Sequence, residues 1–519
     1  MANSDPIPLV PTLSNVYSAP RLAKEGQRWD SLTKDFESRF GAAPHFIARA
    51  PGRVNIIGEH IDHMGFSCLP AALEMDILMA VRVQSDPDQN KRVHFDLQNT
   101  EKRFEATRFE SDVKSTDEVQ LIHEGPSRWA NYFKVAFKGL HPHLPPAVLS
   151  GSTTPTKIEV LIDGTIPPES SLSSSAAMTS CSSIVILEAF KARELISRRE
   201  MAEVAIESER LVGVASGGMD QAASIFGVPG HALHIAFVPT LTVQPTKLPS
   251  SSPAHAFVVA NTLVVSDKKV MGPVQYNLRV AELWMACRAL CVHLDLPKDD
   301  STKTLKKLME TYFSKHPLTS DQESETRERY GEEAAKIKVL GALAGDFLPK
   351  KGLTRQEVEE LTGFKGDAFD KEFLSQFPVR AETFKLHART KHVFAEAFRV
   401  LVFKSLCTSS SSPDVYTQLG TLLDESQASL LHDYENGCVE LEEVVSIAKS
   451  AGALGSRATG AGWGGSTVSL VREDKVKDVL EALKVGYYKK RFPQMSDERL
   501  DEALLVSQPA GGACVYKVD

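Results

Sequence analysis

Apolar residues along this chain recur in two rhythms. Met79-Ala80-Val81-Arg82-Val83, Ile158-Glu159-Val160-Leu161-Ile162 and Thr467-Val468-Ser469-Leu470-Val471 are short and rich in β-branched residues, which predicts strands. Ala256 to Val265 is a longer β-branched run and reads as the first strand of a second domain. Ser174 to Lys191 carries Ala, Met, Ile, Val and Leu at helical spacing, which predicts a mostly buried helix. A further helix is predicted around Glu332 to Leu343. Between Lys298 and Glu333 the chain is charged and weakly patterned, as in a surface excursion. Leu248-Pro249-Ser250-Ser251-Ser252-Pro253 is a linker signal, and Cys407 to Pro413, with serine at 409 to 412, reads as a loop. Strands and helices mix on both sides of the linker. The predicted class is α+β in two lobes, 22–248 and 254–519, with a cleft between them for a ligand.

Composition narrows the function classes. The chain has 519 residues, 42% of them hydrophobic and 24% charged, ordinary for a water-soluble globular protein with room for two domains. A formal net charge of −8 argues against a chain built to coat nucleic acid or an anionic membrane, while leaving room for a local basic pocket. No run approaches 18 apolar residues, and Met1 to Leu22 lacks the apolar core of a signal peptide. Seven scattered cysteines without a CxxC pair read as reduced thiols. A cytoplasmic enzyme is expected, without internal repeats.

Three constellations carry candidate chemistry. In Ala50-Pro51-Gly52-Arg53-Val54-Asn55-Ile56-Ile57-Gly58-Glu59-His60-Ile61-Asp62, four polar groups crowd around turn residues, enough donors and acceptors to read several sugar hydroxyls. A polar turn closed by internal salt bridges accounts for the same residues equally well. Ile162 to Ala177 reads strand, loop, helix, and its Ser170-Ser171-Leu172-Ser173-Ser174-Ser175 leaves backbone N–H groups and hydroxyls for an anion at a helix start. An ordinary Ser-capped helix is the plainer alternative, and no Walker A sequence is present. Gly455-Ser456-Arg457-Ala458-Thr459-Gly460-Ala461-Gly462-Trp463-Gly464-Gly465-Ser466 permits close backbone approach to a ligand, or is simply a glycine-rich hairpin. Gly217-Gly218-Met219-Asp220-Gln221 leads flexible backbone to a carboxylate.

In this order, these segments resemble the GHMP kinase family, and within it the galactokinases. Trp129-Ala130-Asn131-Tyr132-Phe133, Asn261 to Ser266 and Tyr276-Asn277-Leu278-Arg279-Val280 extend the resemblance from about residue 25 to the C-terminus, with most similarity to fungal members. It implies the two-lobed GHMP kinase fold with the active site in the cleft. It also implies ATP-dependent phosphorylation of galactose at its anomeric hydroxyl, the first step of galactose catabolism, with Mg²⁺ as cofactor. Asp220 would be the general base and Arg53 its charged partner. Glu59, His60, Asp62 and Tyr276 would bind the sugar, with Arg53, Gly218 and Asp220 beside it. Glu169, Ser171, Ser173 and Ser174 would line the triphosphate, and Ser175 with Glu209 would hold Mg²⁺. Trp129 and Tyr132 would flank the adenine, with Asp267 and Lys268 near the nucleotide. The family usually has glycine at the place of Ser171 and glycine or serine at that of Glu169, so weaker MgATP binding is expected. His63, Ala458 and Ser466 are milder departures. Two alternatives share the motifs. One is a galactose- and ATP-binding transcriptional co-inducer with little activity, acting on a regulatory protein partner; the other is an N-acetylgalactosamine kinase. Retained Ser175-Ala176, Asp220 and Arg53 favour the enzyme over the co-inducer.

Overall fold

The computed structural model describes residues 4–86, 92–150, 153–167, 170–212, 217–264, 271–409 and 414–518. Its largest sheet is formed by β1 (Phe46–Ile57), β2 (Leu69–Gln84), β3 (Arg92–Asn99), β4 (Thr107–Asp112), β5 (Lys157–Gly164) and, from the far end of the chain, β12 (Cys514–Lys517). They are ordered β12-β1-β2-β5-β3-β4. The predicted strands at 79–83 and 158–162 lie inside β2 and β5 and pair with each other, Met79 opposite Ile162. β1 is buried along its whole length because both faces are covered. On one side lies α1 (Leu22–Phe40), whose Trp29, Leu32 and Phe36 meet Ile47, Leu78 and Leu161. The other side faces α3 (Ser174–Ala189) and α5 (Met219–Phe226), with α2 (Asn131–Leu140) and α4 (Arg198–Arg210) behind.

α3 is the helix predicted at 174–191. It has no polar face: nearly every residue from Ala176 to Ala189 is buried. Three of its buried hydroxyls are satisfied within the helix, Thr179 Oγ1 donating to Ser175 O at 3.1 Å, Ser182 Oγ to Met178 O at 2.7 Å and Ser183 Oγ to Thr179 O at 2.9 Å, so these residues cost little in the core.

A small hairpin, β6 (His231–Ala236) with β7 (Thr242–Lys247), closes the first half. The second sheet is ordered β11-β8-β10-β9, from β8 (His255–Asn261), β9 (Gly455–Thr459), β10 (Ser466–Arg472) and β11 (Leu504–Ser507). It packs on α13 (Val439–Ser450) and α14 (Val476–Leu483) through Val258, Ala260, Val444 and Val479. β10 contains the strand expected at 467–471, while the run expected at 256–265 is strand only as far as Asn261, with residues 262–264 outside it and 265 outside the described residues. Between β8 and β9 the chain adds a helical body: α6 (Tyr276–His293), α7 (Leu305–Lys315), α8 (Ser324–Tyr330), α9 (Glu332–Phe347), α10 (Arg355–Thr362), α11 (Leu386–Ser409) and α12 (Val415–Ser429).

Two sequence expectations need correction here. The stretch 298–333 is not a bare surface excursion, since Leu305, Leu308 and Met309 of α7 are fully buried. The predicted loop from Cys407 begins later, because α11 runs to Ser409, with Thr408 Oγ1 bonded back to Lys404 O at 3.0 Å; residues 410–413 lie outside the described residues. The last strand, β12, lies within the stretch 254–519 expected as the second lobe yet belongs to the first sheet, with Ala48 opposite Val515.

Candidate active site

Arg53 enters the site from an irregularity in β1. The β1–β2 register shifts between Pro51 and Arg53, and such a bulge re-aims the side chain that follows it. The Arg53 Nε donates to Asp220 Oδ1 at 2.8 Å, and its terminal NH₂ donates to Ser171 O at 2.6 Å. Asp220 stands in the first turn of α5, after Gly218 with φ +109°. Its second oxygen accepts the Ser173 hydroxyl at 2.6 Å. The Arg53 side chain is 5% exposed and that of Asp220 26%. The carboxylate is thus oriented from two sides and open on a third.

The sugar-signature loop follows β1. Asp62 accepts the backbone N–H of His63 at 2.9 Å and that of Met219 at 3.4 Å. Burial pushes its carboxyl up, but these bonds and the His63 ring hold it below the usual range. A side chain at Gly217 would collide with it, an added Cβ lying 2.3 Å from Asp62 Cγ. Asp62 and Asp220 are thereby drawn together at the start of α5. Tyr276, the first residue of α6, has its ring 5.8 Å from that of His60 and 6.2 Å from that of His63. Burial, reinforced by the nearby charges of Asp62 and Asp220, pushes its phenol well above the usual value, so it remains an O–H donor.

Glu59 and His60 are placed differently from what a purely sugar-facing role needs. Glu59 is 3% exposed, and its Oε2 accepts from Arg457 at 2.8 Å and from the Gly460 N–H at 2.9 Å. The carboxylate ties the loop to the glycine-rich hairpin. The His60 ring stacks on Tyr434 at 4.4 Å and 19°, and its Nε2 lies 3.0 Å from Ala461 O. Burial keeps that imidazole neutral, well below its ordinary pKa. Arg457 and Tyr434 went unassigned in the sequence; Arg457 sits inside the third motif, where it could have been noticed, but no local pattern singles out Tyr434.

The serine loop is strained. Ser171 and Ser173 have φ of +63° and +62°, a region L-residues enter at a cost of about 1–2 kcal/mol each. Ser171 fits because two glycines face it. An added Cβ at Gly460 would lie 2.5 Å from Ser171 Cβ, and one at Gly465 would lie 2.1 Å from its Oγ. Ser466 Oγ donates to Ser170 O at 2.6 Å, closing the hairpin onto the loop. Ser173 is the N-cap of α3 but makes no capping bond, because its hydroxyl is on Asp220. The first-turn N–H groups, at Ser174 and Ser175, are therefore open to an anion.

Glu209, next to the last residue of α4, is buried and accepts from Gln221 Nε2. Among the described residues no group of three His, Cys, Asp or Glu side chains is placed to hold a metal. Trp129 and Tyr132 sit at the start of α2, half-buried, with Trp129 Nε1 donating to Glu105 O at 3.0 Å. Glu169, Asp267 and Lys268 lie outside the described residues.

Residues 34–83 match the galactokinase galactose-binding signature, 131–228 the GHMP kinase N-terminal domain and 414–489 the GHMP kinase C-terminal domain. The chain is 36% identical to the galactokinase of Saccharomyces cerevisiae, over 97% of each chain. It is 35% identical to that of Schizosaccharomyces pombe, over 98% of this chain and 99% of the other. The chain belongs to the galactokinase family. It is therefore a sugar kinase that uses ATP. The crystal structure of Lactococcus lactis galactokinase complexed with galactose has the same fold, with a TM-score of 0.63 at 24% identity, covering 93% of this chain and 99% of that one. Among the described residues no helix is long and apolar enough to cross a membrane.

Proposed function

We propose that this galactokinase-family chain transfers the terminal phosphoryl group of ATP to the anomeric hydroxyl of galactose, giving galactose 1-phosphate and ADP in the cytoplasm. The observation that carries this reading is the Asp220 carboxylate, fixed by Arg53 at 2.8 Å and Ser173 at 2.6 Å yet open to the cleft. A sugar hydroxyl is a poor nucleophile, and a positioned carboxylate that accepts its proton contributes roughly 10²–10⁴-fold. Arg53 orients that base and brings positive charge to the reacting end of the phosphate, where positioning and electrostatics dominate catalysis. Asp62 and Tyr276 supply an acceptor and a donor for sugar hydroxyls. Ser174, Ser175 and the open N-terminus of α3 take the phosphates, and Trp129 and Tyr132 the adenine.

Mg²⁺, when bound, screens charge on the triphosphate. Ser175 and Glu209 would hold it, and one hydroxyl with one carboxylate suits an oxygen-seeking cation that keeps water and phosphate oxygens as its other ligands. The proposed cleft lies between the lobes 22–248 and 254–519, with β12 crossing back from the second stretch to the first sheet.

A coupled ADP-release assay with galactose, N-acetylgalactosamine and glucose tests the reading. Galactose-dependent release well above sugar-free ATP hydrolysis is expected. Preference for N-acetylgalactosamine would overturn the substrate, and no hexose 1-phosphate by mass spectrometry after long incubation would overturn the enzyme in favour of a sensor.

A further inference from the structure

The main chain of the sugar loop is held by a helix that carries none of the recognised motifs. Gly58 and His60 have φ of +102° and +59°, so Glu59 sits between two left-handed residues, a conformation that persists only where the surroundings impose it. α11 imposes it along one stripe. Glu396 Oε1 accepts the N–H of Gly58 at 2.9 Å and that of Glu59 at 3.2 Å. One turn earlier, His392 Nε2 lies 3.1 Å from Glu59 O; a carbonyl only accepts, so Nε2 bears the proton. One turn later, Val400 backs Gly58 so closely that an added Cβ there would lie 2.9 Å from Val400 Cγ2. Positions 392, 396 and 400 repeat every four residues and share a helix face.

The two polar members are themselves fixed from α12. Ser426 Oγ donates to Glu396 Oε1 at 2.8 Å, and Ser429 Oγ lies 3.0 Å from His392 Nδ1. Arg399 holds the other Glu396 oxygen at 2.7 Å. Both side chains are completely buried. Burial opposes the Glu396 charge, but Arg399 and Arg457 outweigh it and carry the carboxyl to about 2. Burial takes His392 to about 4. Around neutral pH one is a fixed acceptor and the other a fixed donor.

We propose that Glu396 and His392 are positioning residues for sugar recognition, setting the backbone of Gly58–Glu59 and through it the places of His60 and Asp62. The proposal rests on the reading of residues 58–62 as the galactose loop. Neither residue reaches the phosphate end, so their loss should act on one substrate.

The experiment measures kcat, both Michaelis constants, galactose binding by calorimetry and thermal stability for Glu396→Ala, Glu396→Gln, His392→Ala and His392→Gln. Val393→Ala, a cavity at a fully buried position of the same helix, reports what mere destabilisation of α11 does. The alanine variants should raise the galactose KM and Kd at least tenfold while the ATP KM stays within twofold. The glutamine variants keep an acceptor at 396 or a donor at 392 and should recover much of the loss. Val393→Ala should lower thermal stability with little change in either KM. Equal rises for both substrates, the same galactose defect in Val393→Ala, or folded alanine variants with unchanged galactose affinity would each overturn the assignment. Should the unaltered protein fail to bind galactose, the proposed function falls instead, and the two failures are distinguishable.

Discussion

The two ends of the proposed site, the one read as taking the sugar and the one read as taking the phosphates, are built in opposite ways. At the sugar end, Glu59, His60 and Asp62 are each held before any ligand arrives, by Arg457 and Gly460, by Tyr434 and Ala461, and by Met219. At the phosphate end, α3 starts without a side-chain cap, the hydroxyl of its N-cap Ser173 being on Asp220. The next helix shows what α3 forgoes. α4 begins with a complete capping box, in which Ser197 Oγ accepts the Glu200 N–H at 3.2 Å and Glu200 returns a bond to the Ser197 N–H at 2.8 Å, an arrangement that contributes on the order of 1 kcal/mol. A neutral sugar is told from its isomers by where donors and acceptors stand, so order there must exist beforehand. A polyanion brings its own strong acceptors, and a helix start left open is what it needs.

The largest effect should come from the group between the two ends. Asp220→Asn keeps the shape and the contact with Arg53 but accepts no proton, so kcat should fall roughly 10²–10⁴-fold while calorimetry still detects binding of galactose and ATP. Near-normal turnover would remove Asp220 from its role. Next comes the sugar end alone. Asp62→Ala should weaken galactose binding by about 1–3 kcal/mol and leave ATP unchanged; equal losses for both substrates would erase the contrast. At the phosphate end, Ser171→Gly releases about 1–2 kcal/mol of backbone strain. It should raise the melting temperature and lower the ATP KM at low and high salt alike. A gain that vanished with salt would point to charge, and no gain at all would mean the hairpin glycines already accommodate the serine.

The smallest effect is a pH dependence belonging to the sugar end. The folded-state pKa of His392, about 4, lies below the ordinary 6.5, so between those values the unfolded chain binds the extra proton. Its contribution to stability is therefore complete above pH 6.5 and is lost as pH falls toward 4. Between pH 7 and 6 the loss is roughly 0.7 kcal/mol, visible as an earlier denaturant midpoint. His392→Gln should make that slope shallower by the His392 share, with His60 and His234 still contributing, and an unchanged slope would assign the acid sensitivity elsewhere.

The sequence was informative where physics is local. The strands at 79–83, 158–162 and 467–471 and the buried helix at 174 announced themselves by side-chain period. The motifs led to Arg53, Asp220 and Asp62, which the fold brings to one place. Helix α7 was obscured because its exposed charges, Lys307, Glu310 and Lys315, interrupt the apolar positions Leu305, Leu308 and Met309. The end of α11 was obscured because serines and threonines can satisfy their hydroxyls within a helix and yet read as loop. The tie of Glu59 to Arg457 was not legible because nothing near Glu59 in sequence reveals it, and Glu396 was silent because its partners, Gly58 and Glu59, lie more than 330 residues away. Long-range polar contacts leave no periodic trace.

The pairing of β12 with β1 bears on how this chain is made. While it emerges from the ribosome, the sheet that carries Arg53 has an open edge at β1, since the partners of Phe46 to Arg49 are Cys514 to Lys517. An unpaired edge invites pairing with other chains. The first sheet must therefore wait, nearly complete, until Cys514 to Lys517 have been made. Nascent chains halted before Cys514 should be cut readily by protease near β1, and chains released after Lys517 should resist. A chaperone that shields that one edge would act until residues 514–517 are made.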